Sequence, residues 1–452
     1  MGKQLWTATR ALWRTLHAEP GDRQARWSLL RGSTVYAVEE NRSVRLSQRS
    51  IAAALDLVDL LLIELTGLLA HLNLDHHAVP SGDSIAAILA RKWTTSRTNL
   101  ASQFQIFERV RALFTTRLIA LSFLALGVAV PVQAAPAPYK LAKIVALGAP
   151  DRWDYVVFNA ETKRVYVAHG DRLTVVDAQS GAIVGEVVGI AGGTHGIAIS
   201  LATGQGFTDD GGNGKAVAFD LKTLKVSRQI AVHLDADAVT FDKVTGHVFV
   251  IEGDPGSISV VDPATNSIAA TIKVGEKLEY GASDDQGMVY VAGEENRDLV
   301  KLDVRTNTVI AHWTTPDCAS PHGLAIDKVA RRLFMGCVNS VMMVVDADTG
   351  RIVAKLPIGK GSDAVAFDPK RKRVFSSNGA DGTITVYQQI SADAYKSLEP
   401  VESAASGRTM SVDASSGRLF VAAADTDPSV TPGGSRKTRP GTLKLLMFDP
   451  LP

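Results

Sequence analysis

Ionisable side chains recur along the C-terminal part of the sequence at intervals of 41 to 45 residues. They comprise four carboxylates, two imidazoles and one guanidinium: Asp154, His195, Asp237, Glu279, His322, Asp363 and Arg408. Residues at equivalent positions of a repeated unit come together when the units close around an axis. The spacing therefore predicts that these side chains, called the channel-mouth ring below, meet at one end of a central channel.

The residue types of the channel-mouth ring favour three interpretations. Imidazole and carboxylate groups bind divalent cations, and His195, Asp237, Glu279 and His322 are the predicted metal ligands. Crowded like charges also shift pKa values, as in an acid–base or ligand-binding site. The alternative is a solvated lining whose polar residues pair with one another and bind nothing. No residue is assigned a catalytic role.

The sequence contains two cysteines, Cys318 and Cys337, which we place at the same end of one hairpin. In an oxidising compartment this arrangement predicts a disulfide, and a copper or redox role is the alternative. Two cysteines are too few for a disulfide-rich scaffold or a Cys-based zinc cluster. The absence of a CxxCH motif argues against a covalently bound c-type haem.

The segments that carry the ring belong to a repeat of about 42 residues. One sequence motif of the repeat is a strand that ends in an aliphatic pair and an Asp and is followed by a turn, as in LTVVDAQSG ending at Gly181 and MMVVDADTG ending at Gly350. A second motif is a short aromatic-rich strand, as in RVYVA at 164–168. Repeated units of four short strands are typical of propeller blades. We therefore predict an all-β fold, a seven-bladed β-propeller of four-stranded blades over residues 135–452.

The strand count also predicts how the propeller closes. The last unit, from Arg408 to Asp449, supplies three strands before the chain ends, and KLAKIVALG at 140–148 is an additional strand. Pairing that strand with Leu443 to Phe448 completes the seventh blade and covers an edge that would otherwise be exposed. The predicted propeller is thus closed by the mature N-terminal strand and the C-terminal blade.

The strands VYVAHG, VFVIEG and VYVAGE, with the strand-and-turn segments VVDAQSG and VVDADTG, resemble the YVTN-repeat β-propeller family, including its YncE-like secreted members. The resemblance covers residues 139–451. It implies a propeller fold and an exported protein, and it implies little about activity because the motif residues are structural.

Residues 110–134 have the three parts of a secretory signal peptide. Arg111 and Arg117 form the positive region, an apolar core runs from Leu118 to Val130, and small residues predict cleavage after Ala134. The apolar core is shorter than the roughly 20 residues of a transmembrane helix, so we expect no transmembrane anchor after cleavage. The predicted location is periplasmic or secreted.

A signal peptide belongs at the start of a chain, yet 109 residues precede this one. No Met lies between Met1 and Met288, and Val110 immediately precedes the positive region. We therefore expect translation to start at Val110, with residues 1–109 an upstream artefact. A helical or disordered N-terminal extension is the alternative.

The formal net charge of +1 gives no general attraction to nucleic acid, and acidic loops on the face of the ring would repel a phosphate backbone. The mature chain contains no nucleophile elbow, Walker loop or HExxH motif. The leading interpretation is a non-enzymatic binding or scaffold protein with a small molecule, a cation or an envelope protein as partner. A divalent cation is the one cofactor considered. The alternative is a lactonase-type hydrolase or lyase that uses the ring with a divalent metal.

Overall fold

The computed structural model describes residues 36–39, 42–45, 137–427 and 437–451. The chain divides into two units, Met1–Ala129 and Val130–Pro452. In the first unit, strands β1 (Tyr36–Glu39) and β2 (Arg42–Arg45) form an antiparallel hairpin. The rest of the predicted extension (1–109) and the predicted signal peptide (110–134) lie outside the described residues.

The second unit is all-β and consists of seven antiparallel sheets. The first blade contains β4 (Val156–Asn159), β5 (Arg164–His169), β6 (Arg172–Asp177) and β7 (Ile183–Val188). The second contains β8 (Ile197–Ser200), β9 (Gln205–Asp210), β10 (Lys215–Asp220) and β11 (Val226–Ala231), with a 3₁₀ turn at Gly211–Asn213. The third contains β12 (Ala236–Phe241), β13 (Val248–Glu252), β14 (Ser257–Asp262) and β15 (Ser267–Lys273). The fourth contains β16 (Leu278–Ser283), β17 (Met288–Gly293), β18 (Asp298–Asp303) and β19 (Thr308–Thr314).

The remaining blades follow the same order with two variations. The fifth contains β20 (Pro321–Asp327), β21 (Arg332–Cys337), β22 (Val341–Asp346) and β23 (Ile352–Pro357). The sixth contains β24 (Ser362–Asp368), β25 (Arg373–Asn378), β26 (Thr383–Ser391), β27 (Ala394–Ser397) and β28 (Val401–Glu402), and both short strands pair with β26. The seventh contains β29 (Thr409–Val412), β30 (Leu419–Ala423), β31 (Lys444–Pro450) and the N-terminal strand β3 (Tyr139–Ala146).

The predicted seven-bladed propeller and its closure are therefore confirmed. Strand β3 pairs with β31 in antiparallel register, from Tyr139 opposite Pro450 to Ala146 opposite Lys444. Neither edge of the ring is left without a neighbour, because the first and last strands of the propeller belong to one sheet. Among the described residues, no helix has the length and apolar character needed to cross a membrane.

The core of the propeller lies between blades. Alternate residues of one strand point to opposite faces of its sheet, so each blade packs against both neighbours. On β5, for example, Val165 and Val167 pack against the seventh blade, whereas Tyr166 and Ala168 pack against the second. Seven such apolar clusters, one for each pair of adjacent blades, continue around the ring.

The repeated Asp-and-turn motif forms the hairpin between the third and fourth strands of a blade. The Asp177 carboxylate accepts hydrogen bonds from the backbone N–H groups of Gln179 and Ser180, and Asp346 repeats this pattern with Asp348 and Thr349. The residue four positions after the Asp has a positive φ, where Gly and Asn are favoured. These residues are Gly181, Leu224, Asn266, Asn307 and Gly350.

Cys318 and Cys337 form the predicted disulfide, with their Cα atoms 5.3 Å apart. Cys337 ends strand β21, and Cys318 lies just before β20, the strand that pairs with β21. The bond therefore joins the incoming loop of the fifth blade to its second strand.

Candidate functional site at the channel mouth

The structure brings the residues of the channel-mouth ring together at one end of the inner strands. Arg408 bridges two carboxylates, with Nη1 2.7 Å from Asp363 Oδ2 and Nη2 3.3 Å from Asp154 Oδ2. Nδ1 of His322 lies 3.1 Å from Asp363 Oδ1 and 3.7 Å from Glu279 Oε2. A continuous series of contacts thus runs from the first blade through the seventh, sixth and fifth to the fourth.

Irregular strand pairing places several ring residues at the axis. The register between the first two strands shifts at Asp237, Glu279, His322 and Asp363, in the third to sixth blades. A β-bulge of this kind changes the direction of a side chain relative to the regular pleat. The ring residues therefore lie where the inner strands begin, outside the regular alternation that builds the core.

His195 is fixed by a buried carboxylate of its own blade. Asp209 accepts hydrogen bonds from His195 Nδ1 (2.7 Å), from its backbone N–H (2.9 Å) and from the backbone N–H of Gly196 (2.7 Å). Burial alone would lower the pKa of His195, but the hydrogen bond to Asp209 and the charges of Asp209 and Asp237 outweigh it and raise that pKa to about 9. His195 is therefore a cation at neutral pH.

His322, on the opposite side of the ring, contacts a serine through Nε2 and lies close to two carboxylates through Nδ1. Ser320 Oγ lies 3.1 Å from its Nε2 and donates a 2.6 Å hydrogen bond to Glu294. Burial would lower the pKa of His322, whereas contact with Asp363 and the charge of Glu279 raise it to about 9. The second ring histidine is thus also cationic at neutral pH.

The ring carboxylates respond unequally to burial. Burial raises the pKa of Asp154 to about 7, of Asp237 to about 6 and of Glu279 to about 8, although a neighbouring cation partly offsets each increase. Burial also acts on Asp363, but the contacts with His322 and Arg408 prevail and lower its pKa. At neutral pH Asp363 is therefore ionised, whereas Glu279 holds a proton for most of the time.

Basic and acidic side chains alternate around the ring with one exception. Each of the three cationic side chains lies between two carboxylates, as the order of the blades shows: Asp154, His195, Asp237, Glu279, His322, Asp363 and Arg408. Asp237 and Glu279, in the third and fourth blades, are the two carboxylates that stand next to each other. We call this position the acidic gap.

Two tyrosines form the floor of the mouth. Tyr155 and Tyr280 directly follow Asp154 and Glu279, and their ring centroids lie 4.4 Å apart. Burial, and then the charges of ring carboxylates that include Asp363 and Glu279, raise the pKa of Tyr155 well above its ordinary value. Below the floor, a cavity of about 150 Å³ is lined by inner-strand residues such as Leu324 and Val365.

An open depression of about 610 Å³ adjoins the ring at the fourth and fifth blades. Its lining residues are Asp254, Lys277, Glu294, Glu295, Arg297, Ala319 and Ser320. Ser320 contacts both Glu294 and His322, so the depression is connected to the ring by hydrogen bonds.

The predicted metal ligands divide into two groups. Glu279 and His322 each have a ligand atom within 4.8 Å of one another and of one on Glu294. His195 Nδ1 lies 4.0 Å from Asp237, in a separate pair. Binding of a metal by His195, Asp237, Glu279 and His322 stays a prediction.

Sequence reasoning did not assign Asp209, Glu294 or the two floor tyrosines to the site. Asp209 and Glu294 do not occupy the repeat position that defines the ring, and their distance from it depends on strand pairing. The sequence does contain a pattern that points to the two floor tyrosines, because a Tyr directly follows the ring residue in two blades, at Asp154-Tyr155 and Glu279-Tyr280.

Comparisons with known proteins agree with the fold. The chain is similar to a chain of Kuenenia stuttgartiensis hydrazine synthase at 12% identity and a TM-score of 0.54, over 66% of this chain and 96% of that one. It is also similar to U3-55K at 13% identity and a TM-score of 0.59, over 69% of this chain and 100% of that one. At these identities the similarity shows the fold alone. Neither the protein-family models nor the curated proteins give a match.

Proposed function

We propose that the protein is a secreted or periplasmic binding protein that holds the ammonium group of a small molecule at its channel mouth. The observation that carries this proposal is the acidic gap. Asp154 and Asp363 each lie between two cationic side chains, whereas Asp237 and Glu279 each have a cation on one side only, at 4.0 Å from His195 and 3.7 Å from His322, and a carboxylate on the other. We infer that an ammonium group supplies the second cation to both carboxylates.

The pKa values of the gap support this assignment. Burial raises the pKa of Glu279 to about 8 and that of Asp237 to about 6, so the gap holds protons where a ligand cation would sit. A bound ammonium group favours the ionised form of both carboxylates. Binding at neutral pH therefore releases roughly one proton per site, most of it from Glu279.

The tyrosine floor adds a second contribution. Tyr280 follows Glu279 directly, and its ring packs against Tyr155. A cation near the face of an aromatic ring gains about 0.5–2 kcal/mol, more where water is excluded. Carboxylates at the side and tyrosines below together favour an organic ammonium over a strongly hydrated inorganic cation.

The test is calorimetric titration of the mature protein at neutral pH with methylamine, putrescine and lysine, in two buffers of different ionisation enthalpy. We expect binding with proton release, and a loss of at least about 30-fold in affinity when Asp237→Asn and Glu279→Gln are combined. The matched control is Glu295→Gln, an exposed acid on the same face, which keeps the wild-type affinity. Absence of binding by all three amines, or equal binding by the double variant, would refute the proposal.

The ring histidines distinguish an ammonium ligand from a metal. Both imidazoles are cations at neutral pH, so His195→Ala combined with His322→Ala removes positive charge and does not weaken amine binding. A metal ion needs neutral imidazole ligands, and its binding would be lost in the same variant. Titration with putrescine and with Mn²⁺ separates the two outcomes.

Export is part of the proposal. The signal-like segment at 110–134 and the resemblance to the secreted members of the YVTN-repeat family support it, and so does the Cys318–Cys337 disulfide, since disulfides persist in oxidising compartments. We propose that the chain belongs to that family, on the strand and turn motifs quoted above.

A hydrolase or lyase of the lactonase type is the second candidate. The observation that favours it is the pKa of Glu279, which lies near neutrality beside His322, as general acid–base catalysis requires. Incubation with a panel of lactones, with acid release followed by pH-stat, tests this function. Turnover that is lost in Glu279→Gln and kept in Glu295→Gln would establish the enzyme and displace the binding protein.

A further inference from the structure

A second cluster of ionisable side chains lies in the fourth blade, on its outer strands. Glu276 belongs to the connection between β15 and β16, Asp298 begins β18, and His312 lies on the outermost strand β19. Nδ1 of His312 is 2.9 Å from Asp298 Oδ2 and 3.3 Å from Glu276 Oε1. The two carboxylates are almost fully buried, whereas 42% of the His312 side chain is exposed.

Two buried oxygens of this cluster have no donor. Oε1 of Glu276 and Oδ1 of Asp298 accept no hydrogen bond from any residue that the structure describes. His312 Nδ1 has a single proton to offer, and it is directed to Asp298. Leaving a buried acceptor oxygen without a donor destabilises the fold, the more so when the oxygen is charged, so this arrangement calls for a further group.

A glycine in the neighbouring strand leaves space beside the two carboxylates for such a group. At Gly293, opposite Asp298 in the sheet, a Cβ atom would lie 2.1 Å from Asp298 Oδ1 and 2.6 Å from Glu276 Oε2. Both carboxylates therefore converge on a position that only glycine leaves open.

In the third blade, the buried carboxylate at the equivalent place receives its hydrogen bonds from protein donors. Glu252 there occupies the position of Gly293, opposite Ser257 in place of Asp298. Its carboxylate receives hydrogen bonds from His233 Nδ1 (2.7 Å), from the backbone N–H of His233 (3.0 Å), from Ser259 Oγ (2.5 Å) and from Ser257 Oγ. The fourth blade has a second acid in place of these hydroxyl donors.

We propose that Glu276, Asp298 and His312 bind a divalent transition-metal ion, with Zn²⁺ as the best match. One imidazole and two carboxylates are ligands that Zn²⁺ accepts, whereas Ca²⁺ and Mg²⁺ prefer oxygen ligands throughout. A tetrahedral ion with bonds of about 2.0–2.1 Å holds its ligand atoms roughly 3.3 Å apart. The ligand atoms of this cluster lie within 4.8 Å of one another, and the contacts to His312 are 2.9 and 3.3 Å.

The ion would tie the connection between the third and fourth blades to the two outer strands of the fourth. The exposed side of His312 gives access from solvent and leaves a position for water. Because the ligands come from three separate segments, binding stabilises the folded chain and not the unfolded one.

The experiment measures uptake of Zn²⁺ by the mature, chelator-treated protein in competition with a chromophoric chelator, together with the melting temperature. We expect a zinc-dependent rise in melting temperature and a loss of more than about 100-fold in affinity for His312→Ala. His233→Ala is the matched control, because it removes a histidine paired with a buried carboxylate in the neighbouring blade, and it keeps the affinity.

Two further measurements keep the test decisive. Co²⁺ bound to the wild type should show tetrahedral visible absorption that disappears in Glu276→Gln, a variant that serves if His312→Ala does not fold. Glu279→Gln should retain the zinc, which separates this site from the channel mouth. No zinc uptake by the wild type, or equal uptake by His312→Ala and His233→Ala, overturns the proposal.

Discussion

The proton on Glu279 shows how crowding at the channel mouth couples folding to pH. Burial raises its pKa to about 8, so the folded chain holds a proton that the unfolded chain has already lost at neutral pH. Asp154, Asp237 and both ring histidines have raised pKa values too. The folded ring therefore binds more protons than the unfolded chain, and stability must fall as pH rises through this range.

We expect the ligand-free protein to be less stable at about pH 9 than at about pH 6. The contribution of His195 and His322 is complete below their unfolded pKa of about 6.5 and is lost as pH rises through about 9. That of Glu279 is lost as pH rises through about 8. Each group changes the free energy of unfolding by up to about 1.4 kcal/mol per pH unit. Urea unfolding across this range measures the slope.

The variant Glu279→Gln tests whether Glu279 contributes to this pH dependence, because glutamine has no proton to lose in this range. Its free energy of unfolding should fall less steeply with pH than that of the wild type. Glu295→Gln, which changes an exposed acid, should follow the wild type. A wild-type stability that is constant or rises with pH would contradict the expected protonation of the ring.

At the scale of the secondary-structure element, strand β3 depends on few side chains. Tyr139 and Val145 are buried, whereas the residues between them are exposed. Tyr139 packs edge-on against Phe375 of the sixth blade, with ring centroids 5.5 Å apart, and Arg373 lies over its ring. The strand that closes the propeller is thus anchored by its first residue to a different blade.

Tyr139→Ala should therefore destabilise the protein by about 3 kcal/mol, the usual loss for a large buried aromatic side chain. Leu141→Ala changes an exposed residue of the same strand and should stay within about 0.5 kcal/mol of the wild type. Guanidinium unfolding of both variants measures the difference. Similar losses at the two positions would show that β3 is held by backbone pairing alone.

The disulfide gives a second prediction for an element. Cys318 and Cys337 are separated by 19 residues, and a loop of that size restricts the unfolded chain by about 3 kcal/mol in the chain-entropy model. Replacing both residues by Ser should lower the unfolding free energy by about that amount. Thermal unfolding of the double variant measures it, and the reduced wild type should match the variant.

The repeat made the blades and the ring predictable, because periodicity fixes which residues are equivalent. Once Phe158 and Phe241 are aligned, Asp154 and Asp237 occupy one position on their strands. The closing pair β3–β31 followed from counting strands. Seven equivalent positions then define a ring without any knowledge of side-chain contacts.

The contacts that give the ring its electrostatics were not predictable in this way. Asp209 reaches His195 from the neighbouring strand, and Tyr155 meets Tyr280 across the axis from a different blade. Both contacts depend on the curvature of the closed ring, which sequence spacing does not specify. The additional strand β27 of the sixth blade likewise arises from an insertion that breaks the repeat.

At the scale of the whole molecule, the proposed export predicts where the mature chain begins. Cleavage after Ala134 leaves Ala135 at the N-terminus, four residues before Tyr139 and the closing strand. Mass-spectrometric analysis of the protein from the cell envelope should find a chain that starts at Ala135. An envelope protein that still carries residues 110–134 would contradict the expected cleavage.

Because β3 and β31 share the seventh blade, that sheet can form only after the rest of the propeller has been synthesised. The first propeller strand to be made has its sheet partner almost at the end of the chain, so it waits through the synthesis of six blades. Contacts this distant in sequence form slowly and leave strand edges open in the meantime. A chain interrupted before Lys444 lacks the partner of β3 and cannot close the ring, which leaves strand edges open to association with other chains.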